Sequence, residues 1–335
     1  ADGVMNGNIG VIETLQQVQA HPHYQSQKNG VNVGRGISLG FCRNNSGPAS
    51  LVASVLPDGT ISLVEGSIDI GGSRTAIAQI MAEVLGLNAE DVIPQVGDTD
   101  SIGFTSVTGG SGVAYKSGWA AHEAAIDIRN QIIKRASIIW DTVVTEVEYS
   151  SGCVRHKSDL ELKMSFKEIA SQLNETGAPI IGKANVNPGG TTGSYSALIA
   201  DVQVDSETGK VDLLKLTAFQ DVGYAIHPSY VEGQIQGGIA QGIGWALNEE
   251  YFYDHKGIMR NNSLLDYRMP ISLDLPDIET VLVEVPNPNH PYGVKGVGEA
   301  SISCPLAAIA NAINDAVGIR LRSLPMKPQK LQACL

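Results

Sequence analysis

The sequence predicts an α+β protein that consists of two related subdomains. Two stretches far apart in the chain share one plan, in which a hairpin is followed by an Asp-aliphatic-Gly run, a loop and a helix. Between them, residues 177–193 are rich in Gly, Pro and Asn, which is typical of a connection. We expect an N-terminal helix and connector (1–34), a first subdomain (35–180) and a second (181–335). A chance similarity of two hairpin–helix units is the alternative.

The predicted strands are aliphatic runs on both sides of a polar turn. The first hairpin turns at Pro57-Asp58-Gly59 and leads to Asp69-Ile70-Gly71, and the second leads to Asp221-Val222-Gly223. The predicted strands are residues 51–56 and 61–66 in the first hairpin, and residues 198–204 and 211–219 in the second.

Helices are predicted where apolar residues recur at i, i+3, i+4 and i+7. One such run extends from Ile77 to Leu85 and ends at Gly86. Another covers residues 306–317, with Ser303 or Cys304 at the cap, Pro305 in the first turn and Gly318 just past the end. A short N-terminal helix is expected to have Ile12, Leu15 and Val18 on one side.

The helix expected at 232–247 has an unusual, glycine-rich face. Each helical glycine destabilises the helix by about 1 kcal/mol relative to alanine, so something has to approach this backbone closely. A neighbouring helix and a bulky cofactor are both compatible with the pattern. The glycines are Gly233, Gly237, Gly238, Gly242 and Gly244.

The charge and the cysteines exclude several function classes. The formal net charge is −12 and no basic run occurs, so we expect no nucleic-acid or anionic-membrane partner. The four cysteines lie far apart without iron–sulfur spacing, which favours reduced thiols. We find no signal peptide and no apolar run long enough to span a bilayer, and we expect a cytoplasmic location.

Three glycine loops precede predicted helices and offer free backbone N–H groups to an anion. None of them has the P-loop or Rossmann pattern. Three such loops in one acidic chain predict an extended polyanionic ligand that is bound through backbone. The loops are Gly71-Gly72-Ser73, residues 108–112 and residues 293–299.

Glu299 closes the third glycine loop and immediately precedes a helix. A carboxylate in a loop almost without polar side chains is expected to be desolvated, which raises its pKa toward that of a useful base. The alternative is an exposed glutamate that is stabilised near a helix N-terminus.

The same residues resemble the xanthine dehydrogenase/aldehyde oxidase family. The run from Gly293 to Glu299, with the Ala-rich helix after it, is similar to the glutamate loop of that family. Three further runs occur in the family's order, and the resemblance covers about residues 35–325. They are residues 97–100 leading to 108–111, Asp221-Val222-Gly223 leading to Pro228, and Gly233-Gln234 leading to Gln241-Gly242.

The resemblance implies a molybdopterin-binding fold and a molybdenum–molybdopterin cofactor, expected as the cytosine dinucleotide with a terminal sulfido or selenido ligand. It implies that Glu299 is the general base, and that no side chain of this chain binds the metal directly. Relatives carry a glutamine in the loop where this chain has Asp69-Ile70-Gly71-Gly72-Ser73, so this loop is expected to contact the cofactor through backbone. The implied cofactor-binding residues are Gly71, Gly72, Ser73, Thr108, Gly109, Gly110, Ser111, Gln234 and Gly298.

The resemblance covers only the second half of the family's molybdenum subunit. It therefore implies a separate N-terminal-half molybdopterin subunit, a 2Fe–2S subunit and an FAD subunit, in a dimer of heteromers that is inactive without them. The expected reaction is hydroxylation of an N-heteroaromatic substrate with oxygen from water, specifically nicotinate to 6-hydroxynicotinate, with NADP as acceptor. Aldehydes, purines, other heterocycles or a catalytically inactive scaffold paralogue are the alternatives.

Overall fold

A computed structural model of the chain describes residues 9–97 and 100–335 and has the expected mixture of helix and sheet. The helices in these residues are α1 (Val11–Ala20), α2 (Pro22–Gln25), α3 (Ser73–Leu85), α4 (Val113–Ile139), α5 (Phe166–Ser171), α6 (Leu173–Thr176), α7 (Pro228–Leu247), α8 (Cys304–Val317) and α9 (Pro328–Gln332). The strands are β1 (Val33–Arg43), β2 (Ala49–Val55), β3 (Ile61–Glu65), β4 (Val92–Val96), β5 (Val147–Ser150), β6 (Cys153–His156), β7 (Lys163–Ser165), β8 (Ile181–Val186), β9 (Gly193–Val204), β10 (Val211–Asp221) and β11 (Ile278–Val283).

The chain forms two compact units, and neither is a continuous stretch of sequence. Unit 1 contains the described residues up to Asn44, together with Thr192–Asn287 and Lys295–Leu335. Unit 2 contains Asn45–Thr191 and Pro288–Val294. These limits differ from the expected boundaries after residues 34 and 180. The reason is strand pairing, because β1 lies in the sheet of unit 1 and β8 in a sheet of unit 2.

The main sheets of the two units have the same plan. In unit 1 the order is β1-β9-β10-β11, and in unit 2 it is β8-β2-β3-β4. In each sheet the first two pairings are antiparallel and the last is parallel. In each, a helix (α7 or α3) connects the two parallel strands. The predicted hairpins are therefore confirmed, and each sheet takes its outer antiparallel strand from the other half of the sequence.

The sheet of unit 1 buries apolar side chains on both faces. Leu198 and Ala200 of β9 pack in one cluster with Ile235 of α7 and Ile309 of α8. The alternate residues of β9 face α1, where Val18 packs with Ile199 and Phe219. Helix α1 is confirmed, and of its three expected apolar residues Val18 is buried while Ile12 and Leu15 are exposed. Thr14 is also buried, and its hydroxyl is satisfied by donating to the Gly10 carbonyl at 2.6 Å.

Unit 2 packs α3 and α4 with its four-stranded sheet. Leu51, Leu63, Ile77 and Ile128 are fully buried there. A second, smaller sheet of order β5-β6-β7 follows α4. In the described part of the chain, no helix combines the length and the apolar character that crossing a bilayer requires.

The predicted ends of two helices are confirmed. Helix α3 ends at Leu85 and is capped by Gly86 in a left-handed conformation with φ 62°. Helix α8 begins after Ser303, has Pro305 in its first turn and ends before Gly318, whose φ is 75°. Glycine has no Cβ and adopts these positive φ angles without strain, so it ends both helices.

The glycine face of α7 has two different environments. A Cβ at Gly242 would lie 2.7 Å from the Ile302 carbonyl oxygen and 2.7 Å from Cγ of Pro305, so this part of the helix makes room for the chain that enters α8. A Cβ at Gly233 or Gly237 would meet nothing within 4 Å. Close packing thus accounts for the glycine at position 242. At Gly233 and Gly237 the helix backbone has no neighbouring atom where a side chain would be. The helix begins at Pro228, earlier than the expected residue 232.

We predict opposite effects for two alanine substitutions in α7. Gly242→Ala should destabilise the protein by about 1–3 kcal/mol, because a carbonyl and a proline ring cannot yield to the new methyl group. Gly237→Ala should stabilise it by about 0.5–1 kcal/mol, since alanine has the higher helix propensity and the position is open. The melting temperatures of the two variants in the assembled protein test this. Equal shifts would contradict the packing of α7 described above.

Candidate active site

The ten expected site residues are divided between the two units. Gln234, Gly298 and Glu299 belong to unit 1, and the remaining seven belong to unit 2. Asp98 and Thr99, which form part of the resembling run 97–100, lie outside the described residues.

The glutamate loop, residues 295–300, is anchored on both sides of Glu299. The Asn44 side chain accepts from the Gly296 N–H at 3.0 Å and donates to the Gly296 carbonyl at 3.2 Å. Gln220 at the end of β10 donates to the Val297 carbonyl at 2.7 Å, and Ser196 of β9 donates to the Ala300 carbonyl at 2.9 Å. The loop backbone is therefore fixed by side chains from the strands of unit 1.

A buried ion pair holds the start of the glutamate loop. Lys295 Nζ lies 2.6 Å from Oδ2 of Asp221, and neither side chain is exposed to solvent. The same carboxylate accepts hydrogen bonds from the N–H groups of Gly10 at 2.8 Å and Gly223 at 3.1 Å. A buried charge is tolerated when it is paired and hydrogen-bonded, and the Asp221 carboxylate meets both conditions.

Glu299 itself is exposed, whereas Lys295, Gly296 and Ala300 of the same loop are buried. Of the two alternatives stated for this carboxylate, the structure therefore has the exposed glutamate and not the one desolvated by its own loop. The neighbouring residues that are apolar or hydrogen-bonded to the strands are buried or half-buried, and the Glu299 side chain is left in contact with solvent. Burial raises the pKa of the nearby Cys42 thiol, and the negative charge of Glu299 raises it further.

Gln234 lies on α7 one turn before Gly238, and it is half-buried. A Cβ at Gly238 would lie 2.0 Å from Oγ of Ser301, so this turn of α7 packs directly on the residues that follow Glu299. Gln234 and the glutamate loop both lie in unit 1, and their membership of one site stays a prediction.

The second glycine loop of the prediction, residues 108–112, leads into α4 in unit 2. Gly110 has φ 62° and its carbonyl accepts from the Asn45 N–H at 2.8 Å, where a Cβ would come within 2.4 Å of the Asn45 Cβ. Ser111 also has a positive φ of 53°. A Cβ at Gly109 would meet nothing within 4 Å. The loop thus has one glycine, Gly110, that is packed against Asn45, and another, Gly109, that has free space beside its Cα.

A buried lysine anchors the approach to this loop. Lys116 in the first turn of α4 donates to the Ser106 carbonyl at 2.8 Å, to the Ser106 hydroxyl at 2.7 Å and to the Val107 carbonyl at 2.8 Å. Burial lowers the pKa of Lys116, and the charge of Glu65 opposes that shift. Thr108 directly follows this anchored segment.

The first glycine loop precedes α3 and contains Gly71, Gly72 and Ser73. Gly71 and Gly72 both have positive φ, 60° and 75°. Arg74 closes the loop by donating to the Asp69 carboxylate at 2.9 Å. The Ser73 hydroxyl is buried and has no hydrogen-bond partner among the described residues. An orphaned buried hydroxyl at a helix N-terminus is suited to a ligand that supplies the missing partner.

The chemistry of these loops suits an anionic organic ligand. Among the described residues no side chain caps the N-terminus of α4, whose positive dipole end suits an anion. In α3 the first N–H groups are already bonded, that of Ser73 to the Ile70 carbonyl at 3.2 Å and that of Arg74 to the Asp69 carboxylate at 3.2 Å. In residues 9–97 and 100–335 no group of three or more His, Cys, Asp and Glu side chains could hold a metal ion.

The sequence analysis missed the residues that position the site. Lys295 and Asp221 lie in runs that the sequence analysis identified, but their ion pair was not predicted. No role was predicted for Asn44, Gln220 or Lys116. A lysine inside an otherwise apolar glycine loop was an available signal, because such a side chain has to find a buried partner. The partner itself lies too far along the chain for spacing to reveal it.

Comparison with known proteins places these residues in one family. The model described as "Molybdopterin cofactor-binding domain" matches residues 13–276. The chain is 31% identical over 319 residues to the putative xanthine dehydrogenase molybdenum-binding subunit of Escherichia coli, covering 92% of this chain and 42% of that protein. It is 28% identical over 356 residues to the nicotine 6-hydroxylase large subunit of Paenarthrobacter nicotinovorans, covering 96% and 43%.

The fold is similar to that of solved enzymes. Quinoline 2-oxidoreductase from Pseudomonas putida matches 96% of this chain with a TM-score of 0.79 and 28% identity, and this chain covers 43% of that structure's chain. The chain thus spans well under half the length of the relatives it matches.

We predict that the buried ion pair is far more important to stability than an exposed one. Lys295→Met should destabilise the protein by about 3–5 kcal/mol, because it leaves the Asp221 carboxylate enclosed without a cation. The matched control is Lys210→Met, which removes an exposed pair with Asp212 in the same unit and should change little. Denaturant midpoints of the two variants measure the difference. A small shift for Lys295→Met would show that the pair does not fix the loop.

Proposed function

Because the chain belongs to the molybdopterin cofactor-binding domain family, we propose that it forms part of a molybdenum hydroxylase, in which it holds the cofactor and supplies the catalytic base. The observation that carries this proposal is the anchored loop that presents Glu299. Its backbone is bonded at Gly296, Val297 and Ala300, while the glutamate stays exposed. Such rigidity is what a positioned base requires.

The cofactor is held mainly by backbone. In unit 2 the unobstructed space beside the Gly109 Cα, the positive N-terminal end of α4 and the unpaired Ser73 hydroxyl support contacts at residues 71–73 and 108–111. In unit 1 Gln234 and Gly298 support contacts near Glu299. With a net charge of −12, the protein binds the phosphates of a molybdopterin cytosine dinucleotide through N–H groups more than through cations.

The bound cofactor, with a sulfido or selenido ligand on its molybdenum, supplies the two-electron oxidation of a substrate carbon, with water as the source of the new oxygen. Glu299 acts as the general base: its carboxylate accepts the proton of the attacking oxygen. A positioned base of this kind contributes about 10²–10⁴-fold to the rate. The anchored backbone on both sides limits the positions that this carboxylate can take.

The substrate class that we propose is an N-heteroaromatic compound, with nicotinate hydroxylated to 6-hydroxynicotinate as the specific case. The names of two relatives support the class, because one is a nicotine 6-hydroxylase and another a quinoline 2-oxidoreductase. The partners that we propose are an N-terminal-half molybdopterin subunit, a 2Fe–2S subunit and an FAD subunit, in a cytoplasmic dimer of heteromers that passes electrons to NADP.

We predict that Glu299→Gln separates cofactor binding from chemistry. The isosteric amide should leave molybdenum and pterin content unchanged, and it should slow reduction of molybdenum by substrate by about 10²–10⁴-fold, because the amide cannot accept the proton. Single-turnover reduction in the assembled complex measures the rate. Glu207→Gln, in the exposed turn after β9, is the control and should behave as wild type. Near-normal reduction in Glu299→Gln would remove this residue from the mechanism.

We also predict that a single methyl group at Gly109 displaces the cofactor. Gly109→Ala makes no clash within the chain, so any loss of bound pterin reports the approach of the cofactor to this backbone. The control is Gly189→Ala, which is equally unobstructed in the same unit. Pterin and molybdenum are measured in both purified complexes. Wild-type pterin content in Gly109→Ala would argue against the proposed contact.

A further inference from the structure

The connection between α7 and β11, residues 248–277, is the most exposed long segment that the structure describes. We call it the exposed arm. None of its residues is buried. Connections of this length without regular structure are uncommon in compact domains, and those that occur are typically functional or disordered. The matched family model extends to residue 276, so nearly all of the arm lies within the matched range.

The exposed arm carries large apolar side chains, whose exposure to water is energetically unfavourable. Leu265 and Leu273 are 89% and 90% exposed, and Leu264 is 80% exposed. Tyr251, Phe252 and Ile271 are also exposed. Isolated apolar residues on a surface need no explanation, but a concentration of them in one segment marks an interaction surface.

Polar contacts within the arm keep its backbone ordered. Asn261 accepts from the Phe252 N–H at 2.9 Å and donates to the Glu250 carbonyl at 2.7 Å. The Tyr267 hydroxyl donates to Glu249 at 2.7 Å, and this hydrogen bond raises the pKa of Tyr267 to about 12. The arm is therefore shaped by its own side chains, and its apolar residues are left facing outward as a prepared surface.

We propose that the exposed arm docks against the polypeptide region that forms the rest of the molybdenum subunit in the relatives, whether that region lies on the same chain or on a second one. This inference rests on the proposed function. The occupant is argued from length, because the matched segments span 92% and 96% of this chain but only 42% and 43% of the two relatives. More than half of each relative's subunit is thus available to cover this surface.

The test uses a photo-crosslinking residue in the native assembled complex. Leu265→p-benzoylphenylalanine and Leu273→p-benzoylphenylalanine are compared with Leu160→p-benzoylphenylalanine, because Leu160 in unit 2 is 87% exposed and lies outside the arm. Mass spectrometry of the cross-linked peptides identifies the neighbour. We expect both arm positions to capture the complementary molybdenum-subunit region and position 160 to capture none of it.

A second measurement addresses the energetic role of the arm. Leu265→Glu should weaken retention of the complementary region by about 10- to 100-fold, which is the effect of losing one buried leucine at an interface. Leu160→Glu should leave retention unchanged. Wild-type retention in Leu265→Glu would overturn the proposal.

Other outcomes separate this inference from the function on which it rests. Cross-links from the arm to a second copy of this chain, to an iron–sulfur or flavin subunit, or to nothing would overturn the docking proposal. If the same complex contains molybdenum and pterin, the proposed function survives that result. A complex that contains neither would instead refute the proposed function.

Discussion

The ammonium group of Lys295 and the carboxylate of Asp221, both enclosed by protein, fix the segment on which the proposed chemistry depends. Oδ2 of Asp221 accepts from Lys295 and from the Gly10 N–H, and the other carboxylate oxygen accepts from Gly223. One side chain thereby joins the entry to α1, the end of β10 and the glutamate loop. Enclosing a charge is tolerable only with such a full set of partners, so the three segments have to be in place together.

The duplicated plan of the chain explains why its compact units are discontinuous. Each half of the sequence contributes a hairpin, a connecting helix and a parallel strand to one sheet, and it gives its leading strand to the other sheet. Local patterns predicted the hairpins and helices, because turns, periodicity and glycine caps act over a few residues. They could not predict that β1 pairs with β9 or β8 with β2, since these registers depend on contacts far apart in sequence.

The candidate site shows the same division between local and long-range information. Glycine loops and their following helices were visible in the sequence, and so was Glu299 at the end of one loop. The partner of Lys295 lies 74 residues away, and Asn44 lies 252 residues from the Gly296 backbone that it holds. The exposure of Glu299 was one of two alternatives that the sequence left open, because local composition does not show which residues of a short loop turn inward.

A structure of the assembled complex with its cofactor is the most direct measurement of the central claim, which is that strand side chains hold the glutamate loop so that its carboxylate reaches the reacting oxygen. The quantity to measure is the distance from the Glu299 carboxylate to the nearest hydrogen-bonding atom of the bound cofactor. The account predicts a hydrogen-bonding separation of about 2.6–3.2 Å, with Lys295 still paired to Asp221. A carboxylate turned away into solvent, or an assembled complex without pterin, would contradict it.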